Sequence, residues 1–345
     1  MRIGQRQIGA GAPCYVIAEI GANHNRDMDV ARELIDRAAE AGADAVKFQT
    51  YSGDRIYSRK TPRFQYLEGV SDKTPAELLE ELSLPRDWQA PLAAYATQRG
   101  VDFFSSPFDH EAVAELAEIG VPVLKIASFE IVDLPLIRRA AQTGRPLLIS
   151  TGMANMGEIE EAVRAAEEAG ATGVGLMQCT SVYPAPAERA NLRAMETLRK
   201  AFGVPTGLSD HTTGIAVPIA AAALGAAFIE KHVTLDRAMP GPDHSFALEP
   251  ADLRAMVAGV REAQAALGDG RKTGPGPEES VEMYRLGRRS LILTRDLPAG
   301  TVLERDMITV KRPGYGIAPR ELDRVIGRTL RVDAEADDIV TWEMV

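Results

Sequence analysis

Seven glycines punctuate this chain in the same way, and their placement restricts the fold more than any other feature. Gly42, Gly100, Gly120, Gly144, Gly170, Gly203 and Gly225 each follow a segment with helical spacing. A glycine in that position supplies the left-handed residue that ends a helix. Within a few residues of each glycine an apolar run begins, at 45–48, 101–104, 123–126, 147–149, 174–177, 205–208 and 226–229. The run at 14–20 (CYVIAEI) precedes them, so eight β segments are each followed by a helical one. Continuous apolar strands alternating with helices imply a parallel sheet covered by helices. Eight such units in ~250 residues are the size of an α/β (β/α)8 TIM barrel. An open doubly wound sheet is the competing fold. It would need a Gly-rich first turn for a dinucleotide, and the first turn here, Gly21-Ala22-Asn23-His24-Asn25, is not GxGxxG.

The chain has 345 residues, room for one large domain and a small one. The barrel is assigned to 1–268, after a short hairpin within 1–13 and with its last helix at 250–267. A linker at 269–287 opens with the Gly/Pro-rich stretch GDGRKTGPGPEES. Residues 288–345 place short strands in RRSLILT, TVLERDMITVKR and TLRVDA between turns, which reads as a small β-rich domain. About sixty residues fold alone only marginally, so docking or dimerisation is expected. One barrel loop is unusually long. The 51–86 insertion carries the basic and aromatic stretch RIYSRKTPRFQYLEG, which either lines the pocket or forms a solvated lid edge.

A formal net charge of −10 argues against nucleic acid or an anionic membrane as partner. The two cysteines, Cys14 and Cys179, fall within or at the ends of expected strands, as buried thiols of a cytoplasmic protein would. No apolar run approaches the ~20 residues of a spanning helix.

Catalytic groups of such barrels stand at the C-terminal ends of the strands. The run at 205–208 leads into Ser209-Asp210-His211, and the run at 226–229 ends in Glu230-Lys231-His232. If these strands are parallel neighbours, roughly 4.8 Å apart, the two imidazoles converge on one metal ion. A lone histidine there would be a hydrogen-bonded core residue. Two at equivalent places in successive units shift the weight toward a site. Asp243, in the following Pro-Gly-Pro-Asp loop, adds a carboxylate at the same rim. Lys47 and Lys125 point to an anionic substrate, and hydroxyls of Ser106, Ser128, Ser150 and Ser209 would complete a phosphate cradle. Each serine taken singly is a helix N-cap. Glu19, Glu130 and Glu230 are candidate acid–base groups, or else salt-bridge partners of the lysines. Two imidazoles are too few for structural zinc, so a divalent ion with open positions is expected, Mn²⁺ or Mg²⁺.

The stretches AEIGANHN, VKFQTY, FSSPFD, LKIASFE, STGM, QCTSVYPAP, GLSDHTTGI, IEKHVTLD, GPDHSFALEP and KRPGYGIAP run through nearly the whole chain. In these motifs the chain resembles the sialic acid synthase family, which includes N-acetylneuraminate, legionaminate and pseudaminate synthases. The resemblance implies a TIM barrel joined to a C-terminal SAF (antifreeze-like) domain. It implies a carbon–carbon bond-forming transferase that condenses phosphoenolpyruvate with an N-acetylmannosamine-type sugar and releases phosphate. It also implies a divalent metal, typically Mn²⁺, and a domain-swapped homodimer. Carried over by motif, His211 and His232 bind the metal. Lys47, Lys125, Ser150 and Ser209 hold phosphoenolpyruvate, with Ser128 beside them. Glu19, Gln49, Tyr183 and Asp243 hold the sugar, with Glu19 a second catalytic carboxyl after Glu130, the leading proton-transfer group. Arg312 reaches the N-acetyl group of sugar bound to the other subunit. Ser106 and Ser181 are phosphate-side positions where relatives often carry Thr and Asn.

The motifs are mixed between branches, so a legionaminic or pseudaminic acid synthase acting on a 2,4-diacetamido-trideoxyhexose is the alternative. A 3-deoxy-sugar-phosphate synthase would lack the C-terminal domain. A Schiff-base aldolase would use Lys47 or Lys125, and an ice-binding protein would leave the polar barrel mouth unexplained.

Overall fold

The computed structural model describes residues 1–58, 60–62 and 73–345. The insertion's basic and aromatic stretch falls partly on 59 and 63–72, outside the described residues. Its flanks form short helices, Gly53–Ile56 and Pro75–Leu82. The chain divides into two compact units, Met1–Gly268 and Asp269–Val345.

In the first unit a hairpin, β1 (Arg2–Ile3) and β2 (Arg6–Gln7), precedes the sheet. Eight strands follow: β3 (Tyr15–Glu19), β4 (Ala45–Thr50), β5 (Asp102–Pro107), β6 (Leu124–Ile126), β7 (Leu147–Ser150), β8 (Val174–Cys179), β9 (Thr206–Asp210) and β10 (Phe228–His232). Their order is β5-β4-β3-β10-β9-β8-β7-β6. Every paired neighbour is parallel. The two ends of that order, β5 and β6, are consecutive in the chain, so the sheet curls nearly closed as the TIM barrel expected from the sequence.

Local signals set the element ends. Asp27 caps the helix Met28–Ala41 by accepting from the N–H groups of Asp29 and Val30, and Gly42, at φ 83°, closes it onto Ala38 and Ala39. Asn155 and Glu158 form a reciprocal capping box on Met156–Glu168. Most strands run further than their apolar residues suggest. β4, β5, β8, β9 and β10 continue through polar residues because ladder hydrogen bonds do not depend on side-chain polarity. Lys47, Ser106 and His232 are therefore strand residues, held as rigidly as the sheet.

Phe228 fills the barrel floor, fully buried. The space exists because β8 and β9 carry glycines opposite it. A Cβ on Gly175 would lie 2.5 Å from Phe228 Cζ, and one on Gly207 would lie 2.1 Å from the Phe228 carbonyl oxygen.

In the second unit β11 (Ser290–Leu293) pairs antiparallel with β12 (Ile308–Lys311). The stretch 329–334, expected as a strand, contributes isolated bridges, Val302↔Thr329 and Leu297↔Ala334. A small core gathers Leu291, Leu293, Leu303, Val325 and Val340. Within the expected linker, 281–287 is helical, with Val281, Met283, Tyr284 and Leu286 exposed. Among the described residues, no helix is long and apolar enough to cross a membrane.

Overpacking the floor is costly. Gly207→Ala is expected to lower stability by about 2–3 kcal/mol, toward the upper end for an added methyl. Chemical denaturation followed by circular dichroism would measure it, and an unchanged midpoint would contradict the packing of Phe228.

Candidate active site

Four strand ends converge on a buried chain of alternating charges. Lys47 Nζ on β4 lies 2.8 Å from Glu19 Oε2 on β3 and 3.5 Å from Glu230 Oε1 on β10. Glu230 Oε2 lies 3.8 Å from Lys125 Nζ on β6. Gln49 donates to Glu19 at 2.8 Å, Lys47 donates to Ser106 at 3.2 Å, and Lys125 donates to Ser150 at 2.6 Å. Both lysines are therefore paired, and Glu19 and Glu230 are their partners.

Burial and charge compete at each group. Burial pushes the Glu19 carboxyl up to about 7 against the pull of Lys47. Burial acts the same way on Glu230, yet Lys125 and Lys47 hold it below the usual carboxylate range. Burial lowers Lys125, only partly offset by Glu230. Burial opposes the charge on Lys47 as well, but Glu19 and Glu230 raise it. Glu130, in the 3-10 turn Ser128–Glu130 beyond β6, is pushed up to about 7 by burial, and among the described residues its Oε2 has no hydrogen-bond partner.

A second group of expected residues lies on neighbouring strand ends. β9 and β10 are parallel neighbours, with Glu230 opposite Ser209. The rings of His211 and His232 lie 5.5 Å apart, with the Tyr183 ring 4.2 Å from His211. Asp243 Oδ2 lies 3.8 Å from His232 Nδ1, and burial raises its carboxyl to about 6. His211 Nδ1 donates to the Thr180 carbonyl at 2.9 Å, so Nε2 is the nitrogen left to face a ligand. Burial and then His211 lower His232 well below the usual imidazole range, and among the described residues its buried Nδ1 has no hydrogen-bond partner. Burial opposes charge on His211, but Cys179 and the Thr180 carbonyl raise it above the usual imidazole range, so a metal there would bind after it loses a proton. Two imidazoles this close suit a divalent cation that keeps positions open for other ligands. Among the described residues, no group of three or more His, Cys, Asp and Glu side chains gathers as a metal cage.

Other residues went unrecognised in the sequence. Gly152 leaves room for two of the expected serines, since a Cβ there would lie 2.2 Å from Ser181 Oγ and 2.7 Å from Ser128 Oγ. The Gly152 N–H donates to Ser128 at 3.1 Å. Its signals are a place just past a strand end and within the STGM stretch. Phe246 packs on His232, ring centroids 5.1 Å apart; its one signal is its place in the GPDHSFALEP stretch. Arg312 belongs to the second unit and is exposed. Ser290 fixes its turn by donating to the Pro313 carbonyl at 2.7 Å and accepting from the Gly316 N–H at 2.9 Å.

A parallel barrel with lysines, hydroxyls and paired imidazoles toward the C-terminal ends of its strands carries them where TIM-barrel enzymes have their active sites. The chain belongs to the NeuB family, whose model matches residues 34–272, and the SAF domain model matches 288–345. An N,N'-diacetyllegionaminic acid synthase of Legionella pneumophila is 37% identical, over 99% of this chain and 97% of its own. The human N-acetylneuraminate-9-phosphate synthase is also 37% identical, over 99% of this chain and 95% of its own. Among solved structures, the N-acetylneuraminic acid synthetase of Leptospira borgpetersenii, in complex with citrate, superposes with a TM-score of 0.74. It is 34% identical over 82% of this chain and 94% of that one.

Gly152→Ala is expected to displace the Ser128 and Ser181 hydroxyls while sparing both lysines. Inorganic phosphate, titrated calorimetrically, should then bind about tenfold more weakly, the scale of one lost hydrogen bond to a charged group. Unchanged binding would place the anion elsewhere.

Proposed function

We propose that this protein condenses phosphoenolpyruvate with an N-acetylmannosamine-type sugar, giving a nine-carbon sialic acid and phosphate. The observation that carries this reading is a two-lysine, hydroxyl-lined cradle beside paired imidazoles in the mouth of a NeuB-family barrel. Lys47, Lys125 and Ser150 hold the phosphate and carboxylate of phosphoenolpyruvate, with Ser106, Ser128, Ser181 and Ser209 around them. Glu19, Gln49, Tyr183 and Asp243 hold and orient the sugar. His211 and His232 would hold a divalent cation, Mn²⁺ or Mg²⁺, which when bound supplies a Lewis acid for a carbonyl oxygen.

The enol carbon C3 attacks the sugar aldehyde: the carbon–carbon bond forms, the carbonyl π pair moves to the aldehyde oxygen, and C2 becomes an oxocarbenium. Water adds at C2, and Glu130 takes one of its protons and returns it to the former aldehyde oxygen, which becomes a hydroxyl. Collapse of the hemiketal breaks the C2–O bond and leaves a C2 carbonyl, while phosphate departs with the bridging oxygen and the remaining hydroxyl proton. A carboxyl near 7 accepts and returns a proton at neutral pH with little penalty either way.

A domain-swapped homodimer, with Arg312 completing the partner's sugar site, is part of the same reading. Phe129, Val132, Met153, Val182 and Tyr183 are exposed on the segments after β6, β7 and β8, with Met156 exposed at the start of its helix, and an apolar rim of that kind favours a covering surface. A legionaminic acid synthase is the second reading. The Legionella enzyme matches this chain at 37%, the same identity as the human enzyme.

Mass spectrometry separates these readings. Phosphoenolpyruvate is incubated with N-acetylmannosamine, its 6-phosphate or a 2,4-diacetamido-trideoxyhexose, with Mn²⁺ or with EDTA. One sugar should give a nonulosonic acid only with metal, and ¹⁸O in the bridging position should leave with phosphate. No product from any sugar, or label retained in the acid, would reject the mechanism.

The pH profile tests Glu130. Its carboxylate form is required, so kcat should fall as pH drops through about 7. Glu130→Gln should lose about 10²–10⁴-fold in kcat and that limb of the profile together. A variant that keeps the limb would move the role to another group.

A further inference from the structure

Behind the two histidines lies a second buried ion pair that the chemistry above does not use. Asp210 and Lys231 are register partners on β9 and β10. Both side chains are 1% exposed, with Lys231 Nζ 2.5 Å from Asp210 Oδ2. Lys231 also donates to the Thr212 carbonyl. Thr212 in turn donates its N–H and its hydroxyl to Asp210, each at 3.1 Å. Strand alternation turns these side chains away from the face that carries Ser209, Glu230 and His232. Asp210 immediately precedes His211, and Lys231 immediately precedes His232.

The result is a closed ring of contacts around His211. One ammonium grips the residue before it and the residue after it, and the same ammonium belongs to the neighbour of His232. Net stability is a poor explanation for the pair, because apolar residues in the same space commonly do as well. What an ion pair adds is direction, since it fixes the register of two strand ends at their most polar point.

We propose that Asp210 and Lys231 are positioning residues: through the Thr212 turn they set the separation and aim of the His211 and His232 rings, and so the affinity for a divalent cation. This rests on the metal reading given above. Partners behind metal ligands typically change affinity by about 10- to 100-fold when lost.

The test uses the full chain without substrate. Mn²⁺ binding is followed by electron paramagnetic resonance in wild type, Asp210→Asn/Lys231→Met and Thr212→Val, with folding checked by circular dichroism. The double variant removes both charges together, so no unpaired charge is left buried. It should bind Mn²⁺ at least about tenfold more weakly. In turnover its kcat should fall while the KM for phosphoenolpyruvate stays near wild type. Thr212→Val removes one hydroxyl and should weaken Mn²⁺ about fivefold, the worth of one hydrogen bond. If the double variant does not fold, Thr212→Val decides by the same reading. A folded variant that melts earlier yet binds Mn²⁺ as wild type does would overturn the proposal and leave the pair a purely structural role. A wild-type protein that binds no Mn²⁺ would reject the metal reading itself, and this inference with it.

Discussion

Four charges buried side by side, Glu19, Lys47, Glu230 and Lys125, set the terms for the rest of the barrel. An isolated charge in a protein interior costs several kcal/mol, and breaking one buried pair costs about as much. The alternation of sign makes the group tolerable, since each charge has an opposite neighbour within 3.8 Å. The four come from β3, β4, β10 and β6, so the arrangement exists only once the barrel has curled closed. The same crowding leaves Glu19 near neutrality and lowers Lys125. The electrostatics that the chemistry needs are a by-product of burial rather than of any single residue.

Such a polar mouth needs an apolar floor. Phe228 lies two residues before Glu230 on the same strand face, and the glycines of β8 and β9 let it sit across the barrel axis. It fills the space below the charges with atoms that offer no hydrogen bonds. The Asp210–Lys231 pair lies on the outer face of the same two strands. β9 and β10 thus carry apolar filling, acid–base groups and imidazoles inside, with an ionic tie behind. That concentration explains why the densest sequence signal lies between Gly207 and His232.

The second unit is built on a different economy. Its core is small, and its hydrogen bonds serve turns more than ladders. Ser290 illustrates this: a fully buried hydroxyl holds both sides of the loop that follows Arg312. Arg312 itself is exposed on that pinned turn. The helix at 281–287 likewise leaves its apolar side chains exposed.

The sequence by itself determined the barrel. Helix, glycine and apolar run repeat with a period that only a parallel sheet wrapped by helices satisfies, and local propensities suffice to read it. It also gave away most of the polar residues at the mouth, because a polar group directly after an apolar strand has few places to go. The strand ends were less legible, since β4, β5 and β10 run on through lysine, serine and histidine where apolar patterning stops. Tertiary structure alone decided who pairs with whom. Glu230 lies between two lysines 78 residues apart in the chain, Lys47 and Lys125, and no spacing rule encodes such a contact. Gly152 and Phe246 matter for what stands opposite them, which a residue's own type does not reveal. Periodicity is a property of neighbours along the chain and can be read there. Charge balance and empty volume are properties of neighbours in space, and they exist only after closure.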